Sequence, residues 1–369
     1  MANAKVTMSP KLALSMKRQL VDKVRGGFIL ETPTTQHFQS NSLFREALVA
    51  QRNAVVMLDF QELKIKEVGI EGEVVGTDYK LSHAAFGDLC NFTKTPVSFI
   101  KDLAVCDEQL ALDVLRSRIQ ARMEHGKPKA VIVDTRCNRV EGIVGADTYK
   151  PIANVDLFDW TMDANGHNPA SQLDFSNGWI DGPYMRMTAV NSLKPVEPRK
   201  GDVVRLGTSV ENAIHGDLSV KVRTYCERLV CTNGMTRRDK EHTATLIHTG
   251  DIEFDVSKAL VQSAGLAATF APLMATSATK FLGPDNIKAI RQFISNPRNG
   301  GNATLEARII RGAMNEAQNE GRDAEAVTLW NFTNAVTAAA HEAKSLQRRV
   351  ELEQMGFELM NTFVGAAQS

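Results

Sequence analysis

The sequence predicts an α+β protein: a central antiparallel β-meander packed against a long helix, with helical N-terminal and C-terminal segments. Three observations carry this prediction. Between 129 and 250, short stretches of alternating apolar and polar residues follow one another, separated by Gly, Asn, Asp and Pro. A long apolar stretch of helical character, 255–281, comes next. The regions on either side repeat apolar residues at helical spacing.

The chain divides by pattern into four segments. We expect a flexible or loosely docked arm, then a hairpin with a helical subdomain, then the antiparallel sheet with its long helix, and finally a C-terminal helical region. The boundaries are 1–50, 51–128, 129–282 and 283–369.

The second segment begins with two apolar runs, 54–60 and 63–68, which look like a strand pair. Ser82 is well placed to cap a helix that begins after it. Pro96 suits the first turn of the next helix, because proline lacks the N–H that this turn leaves unbonded. The stretch 107–124 carries an apolar stripe and predicts a third helix.

In the third segment, apolar and polar residues alternate along the chain. Two runs flank Arg136-Cys137-Asn138 and predict a hairpin, and 154–162 predicts a short helix. Strands follow in "SQLDFS", "YMRMTAV", "DVVRLGTSVEN", "SVKVRTYCERLV" and "HTATLIH". We expect the 255–281 helix to cover the apolar face of this sheet and to kink at Pro272.

The last segment is helical throughout. Trp330, Phe332 and Val336 do not share one narrow stripe, so we expect neighbours or a partner subunit to enclose this helix.

Composition limits the possible functions. The 369 residues have a formal net charge of zero, so binding to nucleic acid requires a local basic patch. Five scattered cysteines favour reduced thiols and a cytoplasmic setting. The first twenty residues lack a long apolar core, so we expect neither a signal peptide nor a membrane span.

Because side chains alternate between the two faces of a strand, residues at every second position share a face, and this brings basic side chains together. On "SVKVRTYCERLV" one face is mostly apolar, and the other carries Lys221, Arg223 and Tyr225. Arg205 joins them from the preceding strand. Two interpretations stay open: a nucleic-acid-binding face, or a solvated sheet face of mixed charge, since eight basic and six acidic residues lie between 200 and 250.

A turn is predicted at Asn233-Gly234, because both residues tolerate positive φ. Cys226 and Cys231, on either side of the strand end, are interpreted as structural thiols, with a ligand or a nucleophile as the alternative. Cys226 is expected to be buried. Three further basic residues lie just beyond the turn and complete the predicted binding set: Arg237, Arg238 and Lys240.

Histidines and acids near these strands are open to a second interpretation. A metal site or an acid–base pair could form from His215, His242, His248, Cys231, Asp217 and Asp239. Strand-end histidines are more often structural, and the chain contains no C-x-x-C and no H-E-x-x-H. We therefore predict no catalytic residue, no metal and no cofactor.

Several stretches resemble the phage/plasmid-like protein family, a domain of unknown function in phages, plasmids and bacterial genomes. They run in order between about Leu81 and His341, and "RLVCTNGM" is the most specific. The others are "AFGDLCNFTKTPVSFIKDLA", "GIVGADTYKPIANVDLFD", "GDVVRLGTSVENAIHGDLSVKVRTYCERLVCTNGM", "HTG" and "TLWNFTNAVTAAAH". The resemblance implies a mobile-element setting and assigns no activity and no catalytic residue.

A meander whose apolar face is crossed by the next helix is also the layout of single-strand annealing proteins, which phages often carry. We therefore expect a single-stranded DNA-binding or annealing protein that acts in recombination and forms homo-oligomers. Lys and Arg would contact phosphates, Tyr225 would stack on a base, and Thr232 and Asn233 would shape the turn. A structural or host-defence-interacting phage protein is the alternative, and a metal-dependent enzyme is the third candidate.

Overall fold

The structure is a computed structural model, and it describes residues 35–67, 71–74, 77–167, 173–216, 218–229, 233–236, 243–248, 252–323, 326–343 and 345–365. Its strands are β1 Gln36–Phe38, β2 Val55–Asp59, β3 Leu63–Glu67, β4 Glu71–Val74, β5 Thr77–Leu81, β6 Lys129–Asp134, β7 Arg139–Gly145, β8 Asp174–Asp181, β9 Tyr184–Arg199, β10 Asp202–Ala213, β11 Val220–Arg228, β12 Asn233–Thr236 and β13 Thr243–Leu246. Its helices are α1 Asn41–Ala54, α2 His83–Thr93, α3 Val97–Cys106, α4 Glu108–His125, α5 Asn154–His167, α6 Ile252–Ala267, α7 Phe270–Thr279, α8 Pro284–Ser295, α9 Ala303–Asn319, α10 Leu329–His341 and α11 Leu346–Gly365. The chain is an α+β protein.

The chain forms two compact units. Of the described residues, those within Val49–Pro151 and Ile214–Leu218 form unit 1, and those within Thr34–Leu48, Ile152–Ala213 and Ser219–Ser369 form unit 2. This division differs from the predicted segments at β6 and β7, which belong to unit 1 because they pair with its strands β2 and β5.

Unit 1 contains a sheet with the strand order β2-β6-β7-β5-β4-β3. The predicted pairing of β2 with β3 is wrong. A short 3-10 turn, Phe60–Glu62, joins these strands, and β2 pairs with β6 while β3 pairs with β4. Because only this turn separates two strands at opposite ends of the order, the sheet must curl until its ends meet.

The predicted helix starts in unit 1 are correct at Ser82 and differ by one position at Pro96. The Ser82 hydroxyl accepts a hydrogen bond from the Ala85 amide at 3.0 Å, and Asp107 caps α4 in the same way at Leu110. Pro96 is the N-cap residue of α3, one position before its first turn. Together with the sheet, these helices enclose an apolar core that includes Phe86.

Unit 2 contains the second sheet, in which β8, β9, β10 and β11 are neighbours in chain order and every pair is antiparallel. This is the predicted meander. The short β1 pairs with β8 at one edge, and β12 and β13 both pair with β11 at the other.

Residues 1–34 of the predicted flexible arm lie outside the described residues. From β1 onward the prediction of a loose arm is wrong. Phe44 and Leu48 of α1 are fully buried, and the Phe44 ring contacts those of Phe158 and Phe175 at 5.6 and 5.4 Å. An aromatic cluster therefore fixes this segment.

The predicted turn at Asn233-Gly234 is also wrong. Both residues are in β12, where Asn233 lies opposite Arg228 and Gly234 lies opposite Glu227. The chain therefore reverses direction before Asn233. Thr232 and Cys231 lie outside the part of the chain that the structure describes.

The long apolar stretch covers the sheet as predicted. Ser263 of α6 hydrogen-bonds Thr208 on the apolar face of β10. The helix breaks between Ala267 and Phe270, slightly before Pro272, because the proline ring crowds the carbonyl four residues earlier. The stretch Ile252–Thr279 has mean hydropathy 1.3 and is the one candidate membrane span among the described residues. Its first helix, α6, packs on β10 and β11.

The C-terminal helices complete the core of unit 2. Trp330, Phe332 and Val336 are all buried, so the expected enclosure of α10 is confirmed. α11 is a separate helix whose Leu352, Phe357, Leu359 and Met360 are likewise buried in this core.

Candidate functional site

The four basic and aromatic residues predicted on the sheet do share one face. The register sets Arg205 opposite Glu227, Arg223 opposite Ser209 and Tyr225 opposite Gly207. Lys221 lies opposite Glu211 and is half-buried.

The prediction that this face is solvated is wrong. Tyr225 is 2% exposed and Arg223 is 6% exposed. Arg205 keeps a quarter of its side chain exposed but is paired with Glu227. The face is therefore a buried polar layer, and its side chains are occupied with one another.

An ion pair between Arg186 and Glu353 connects this polar layer to helix α11. Glu353 of α11 binds the Arg186 guanidinium through both carboxylate oxygens, one at 3.0 Å. Arg186 is fully buried and also donates to the Ser209 hydroxyl at 3.1 Å. Burial alone would lower the Arg186 pKa, but the pairing with Glu353 outweighs it and raises this pKa. Glu211 lies 3.9 Å from Arg186 and pairs with Arg223, so cations and carboxylates alternate across the layer.

Glu227 forms a second centre in the same layer. The Ser176 hydroxyl is 2.8 Å from both of its carboxylate oxygens, and the Asn177 amide donates to one of them at 2.9 Å. With Arg205 as its ion-pair partner, this buried carboxylate has the charge and hydrogen-bond partners that its burial requires.

Tyr225 occupies a fitted site. Its ring lies over Gly234, where an added Cβ would come within 2.2 Å of the phenol oxygen. Burial, followed by the nearby Glu227 and Glu353, raises the Tyr225 pKa well above its ordinary value. This residue is a neutral packing element and presents no face on which a base could stack.

Two aromatic contacts extend the layer toward β1. The Arg349 guanidinium stands 4.4 Å from the Trp179 ring centre, and the His37 ring stacks on this indole at 5.1 Å. The predicted site residues did not include Trp179, Arg186 and Glu353. The signal for Arg186 was present, since a lone Arg within the apolar run "YMRMTAV" needs a buried counter-charge.

A second network lies at the other end of β10. The Trp330 indole N–H donates to Asp202 at 2.7 Å, and Asp202 also accepts from Arg228 at 2.5 Å. The Arg228 guanidinium also donates a hydrogen bond to the Glu316 carboxylate at 2.6 Å. Burial raises the pKa of Glu316 above its ordinary value. These contacts join β10, β11, α9 and α10, and their arrangement is structural.

The remaining predicted residues divide between the units. His215 is buried in unit 1 and His248 is buried in unit 2. The other members of both predicted sets lie outside the described residues: Arg237, Arg238, Lys240, Cys231, His242, Asp217 and Asp239.

One further cluster has ligand-type atoms within 4.8 Å of each other: Asp134, Cys137 and Glu141 in unit 1. Arg136 binds Asp134 and Arg139 binds Glu141, each at 2.6 Å. Arginines therefore already supply the positive charge that a metal ion would bring.

An α+β fold with a helix-covered meander and a buried ionic layer defines the class of this protein. The chain belongs to the family described as Domain of unknown function (DUF932), whose model matches residues 144–357. That match contains the meander, the ionic layer and most of α11. No curated protein and no solved structure matches the chain.

Proposed function

We propose that this protein binds single-stranded DNA and promotes annealing, as part of a phage or related mobile element in the bacterial cytoplasm. It acts as a homo-oligomer and carries out no covalent chemistry. The observation that supports this proposal is the antiparallel meander β8–β11 followed by α6 across its apolar face, the layout expected of annealing proteins. Shared layout is an analogy, so the function has to be tested at a surface.

The surface that suits DNA is the edge of the sheet and not its buried polar face. β12 ends at Thr236 opposite Tyr225, and β13 begins at Thr243 opposite Arg223. The basic stretch 237–240 lies in the sequence between these two strands, whose facing ends pair with β11 two residues apart. Lys221 lies on the same strand, two residues from Arg223.

In this proposal the buried residues have a supporting role. Arg223, Arg205 and Tyr225 fix β11 against β10 through their contacts with Glu211, Glu227 and Gly234. Phosphates would be contacted by Lys221, which is half-buried on β11 between β10 and β13, and by three residues in the chain between β12 and β13: Arg237, Arg238 and Lys240.

Salt dependence tests this set. A variant with all four residues changed to Gln should bind a labelled oligo-dT more weakly, with a log-affinity versus log-salt slope reduced by about 0.7 for each phosphate that is no longer neutralised. A control variant removes the same charge from exposed positions elsewhere in unit 2: Lys258, Lys288, Arg298 and Arg311. Equal slopes for both variants would reject the edge as the binding surface.

A second candidate, a structural or host-defence-interacting protein of the same element, is favoured by exposed apolar residues. Phe254 and Val261 of α6 are 66% and 45% exposed, and Ile247 beside β13 is 65% exposed. Such residues suit a protein interface. Light scattering with and without oligonucleotide separates the candidates: a large assembly that ignores DNA favours the second.

A further inference from the structure

Two hollows in unit 1 share part of their lining. The first encloses about 340 Å³ and the second about 650 Å³. Gln61 and Met123 line both, so the hollows meet at the 3-10 turn between β2 and β3. We call this feature the unit 1 groove.

The groove follows from the topology of the sheet. β2 and β3 stand at opposite ends of the strand order but are joined by Phe60–Glu62, so the curled sheet closes at this turn. α4 packs beside β3. The groove lies between this turn and the C-terminal half of α4.

Its lining is strongly basic in a chain whose formal net charge is zero. The lining contains two carboxylates and five cationic side chains. The cationic residues are Lys64, Lys66, Arg116, Lys127 and Lys129. Asp59 is one of the carboxylates, and it already accepts a hydrogen bond from the backbone N–H of Gln61 at 2.9 Å. Glu124 is the other, and it lies 3.3 Å from the Gln120 amide. The groove is the local basic patch that a neutral chain requires to attract a polyanion.

Two of these cations are held in place by contacts within unit 1. The Arg116 guanidinium donates to the Ile65 carbonyl at 3.3 and 2.9 Å and lies 3.7 Å from the Asp113 carboxylate, while half of its side chain stays exposed. The Lys129 ammonium stands 5.8 Å from the Phe92 ring centre, and that ring packs edge-on against Phe60 at 5.1 Å. Ordering these side chains in advance lowers the entropy cost of binding.

Two of the groove lysines lie on β3. Lys64 and Lys66 are both exposed and alternate with the buried Leu63 and Ile65. The register of β3 shifts at Lys66, between Ile65 and Glu67, so β3 departs here from regular strand geometry, but both side chains remain exposed to phosphates of an extended single strand.

We propose that the unit 1 groove binds the phosphate backbone of a single-stranded nucleic acid. This inference rests on the proposed function for the identity of the ligand, and it assigns a contact surface to unit 1 that is separate from the sheet edge of unit 2.

The test uses the full chain and a fluorescein-labelled oligo-dT. The groove variant carries Lys64→Gln, Lys66→Gln and Lys127→Gln, all exposed positions, so folding should be preserved. Its log–log salt slope should fall by about 2, at about 0.7 per contact, and its affinity at fixed low salt should fall with it. The control changes three exposed lysines of unit 1 outside the groove lining: Lys80, Lys94 and Lys150.

Each outcome decides one claim. A reduced slope in the groove variant alone supports the groove. Binding with the wild-type slope in the groove variant overturns the groove and leaves the proposed function standing. No binding by the wild-type chain at low salt overturns both. A polyglutamate peptide of equal charge that binds as tightly as oligo-dT would show a site for acidic protein segments and would overturn the nucleic-acid assignment.

Discussion

Removing the charge of Glu353 should destabilise unit 2 strongly. Glu353→Gln keeps the shape of the side chain but leaves the Arg186 guanidinium, which is fully buried, without its bidentate counter-ion. The Ser209 hydroxyl remains at 3.1 Å and Glu211 at 3.9 Å, and Glu211 is already paired with Arg223. Breaking one partner of a buried ion pair costs about 3–5 kcal/mol, because the other charge stays buried.

The assay is urea unfolding followed by tryptophan fluorescence. All three tryptophans, Trp160, Trp179 and Trp330, belong to unit 2, so the signal reports this unit. Glu342→Gln is the control. It removes a carboxylate from an exposed pair with Arg308, at 2.7 Å, and should cost at most about 1 kcal/mol. If Glu353→Gln lost no more stability than this control, the buried ionic layer would not be holding α11 to the sheet.

Three other outcomes are expected. Exposed Cys106 and Cys137 should react with a thiol reagent in the native protein, whereas Cys90 should react only after unfolding, since burial raises its pKa to about 11; rapid native labelling of Cys90 would contradict this packing. Trp330→Ala should cost roughly 3–5 kcal/mol in urea unfolding, because the ring is fully buried, and a loss below about 1 kcal/mol would be inconsistent with that burial. Burial raises the Glu316 pKa above the ordinary value of 4.5, so its stabilising contribution is greatest below that pH and decreases as pH rises; Glu316→Gln should weaken this part of the pH dependence, which parallel pH profiles of both proteins would check.

Local sequence patterns predicted the elements of this fold well. The alternation of β9 to β11 indicated the meander, Ser82 indicated a helix start, and parity grouped Arg205, Arg223 and Tyr225 on one face. Each of these follows from interactions within a few residues or from the two-residue period of a strand.

The same patterns could not show what covers that face. The counter-ion of Arg186 is Glu353, which lies far away in the sequence, on a helix whose apolar residues carried no indication of its contact with the sheet. The odd or even position of a residue shows on which face of the strand its side chain lies. It does not show whether that face contacts water or a buried carboxylate. The unit 1 groove was missed for a related reason, since β2 and β3 look like a hairpin until their separate partners are known.

Direct binding of oligo-dT by the wild-type chain is the measurement that matters most. Fluorescence anisotropy at about 50 mM and about 200 mM salt gives both the affinity and its salt dependence. A single-stranded DNA-binding protein with basic contact surfaces should bind at low salt and weaken steeply as the salt concentration rises. No binding at about 50 mM salt would contradict the proposed function.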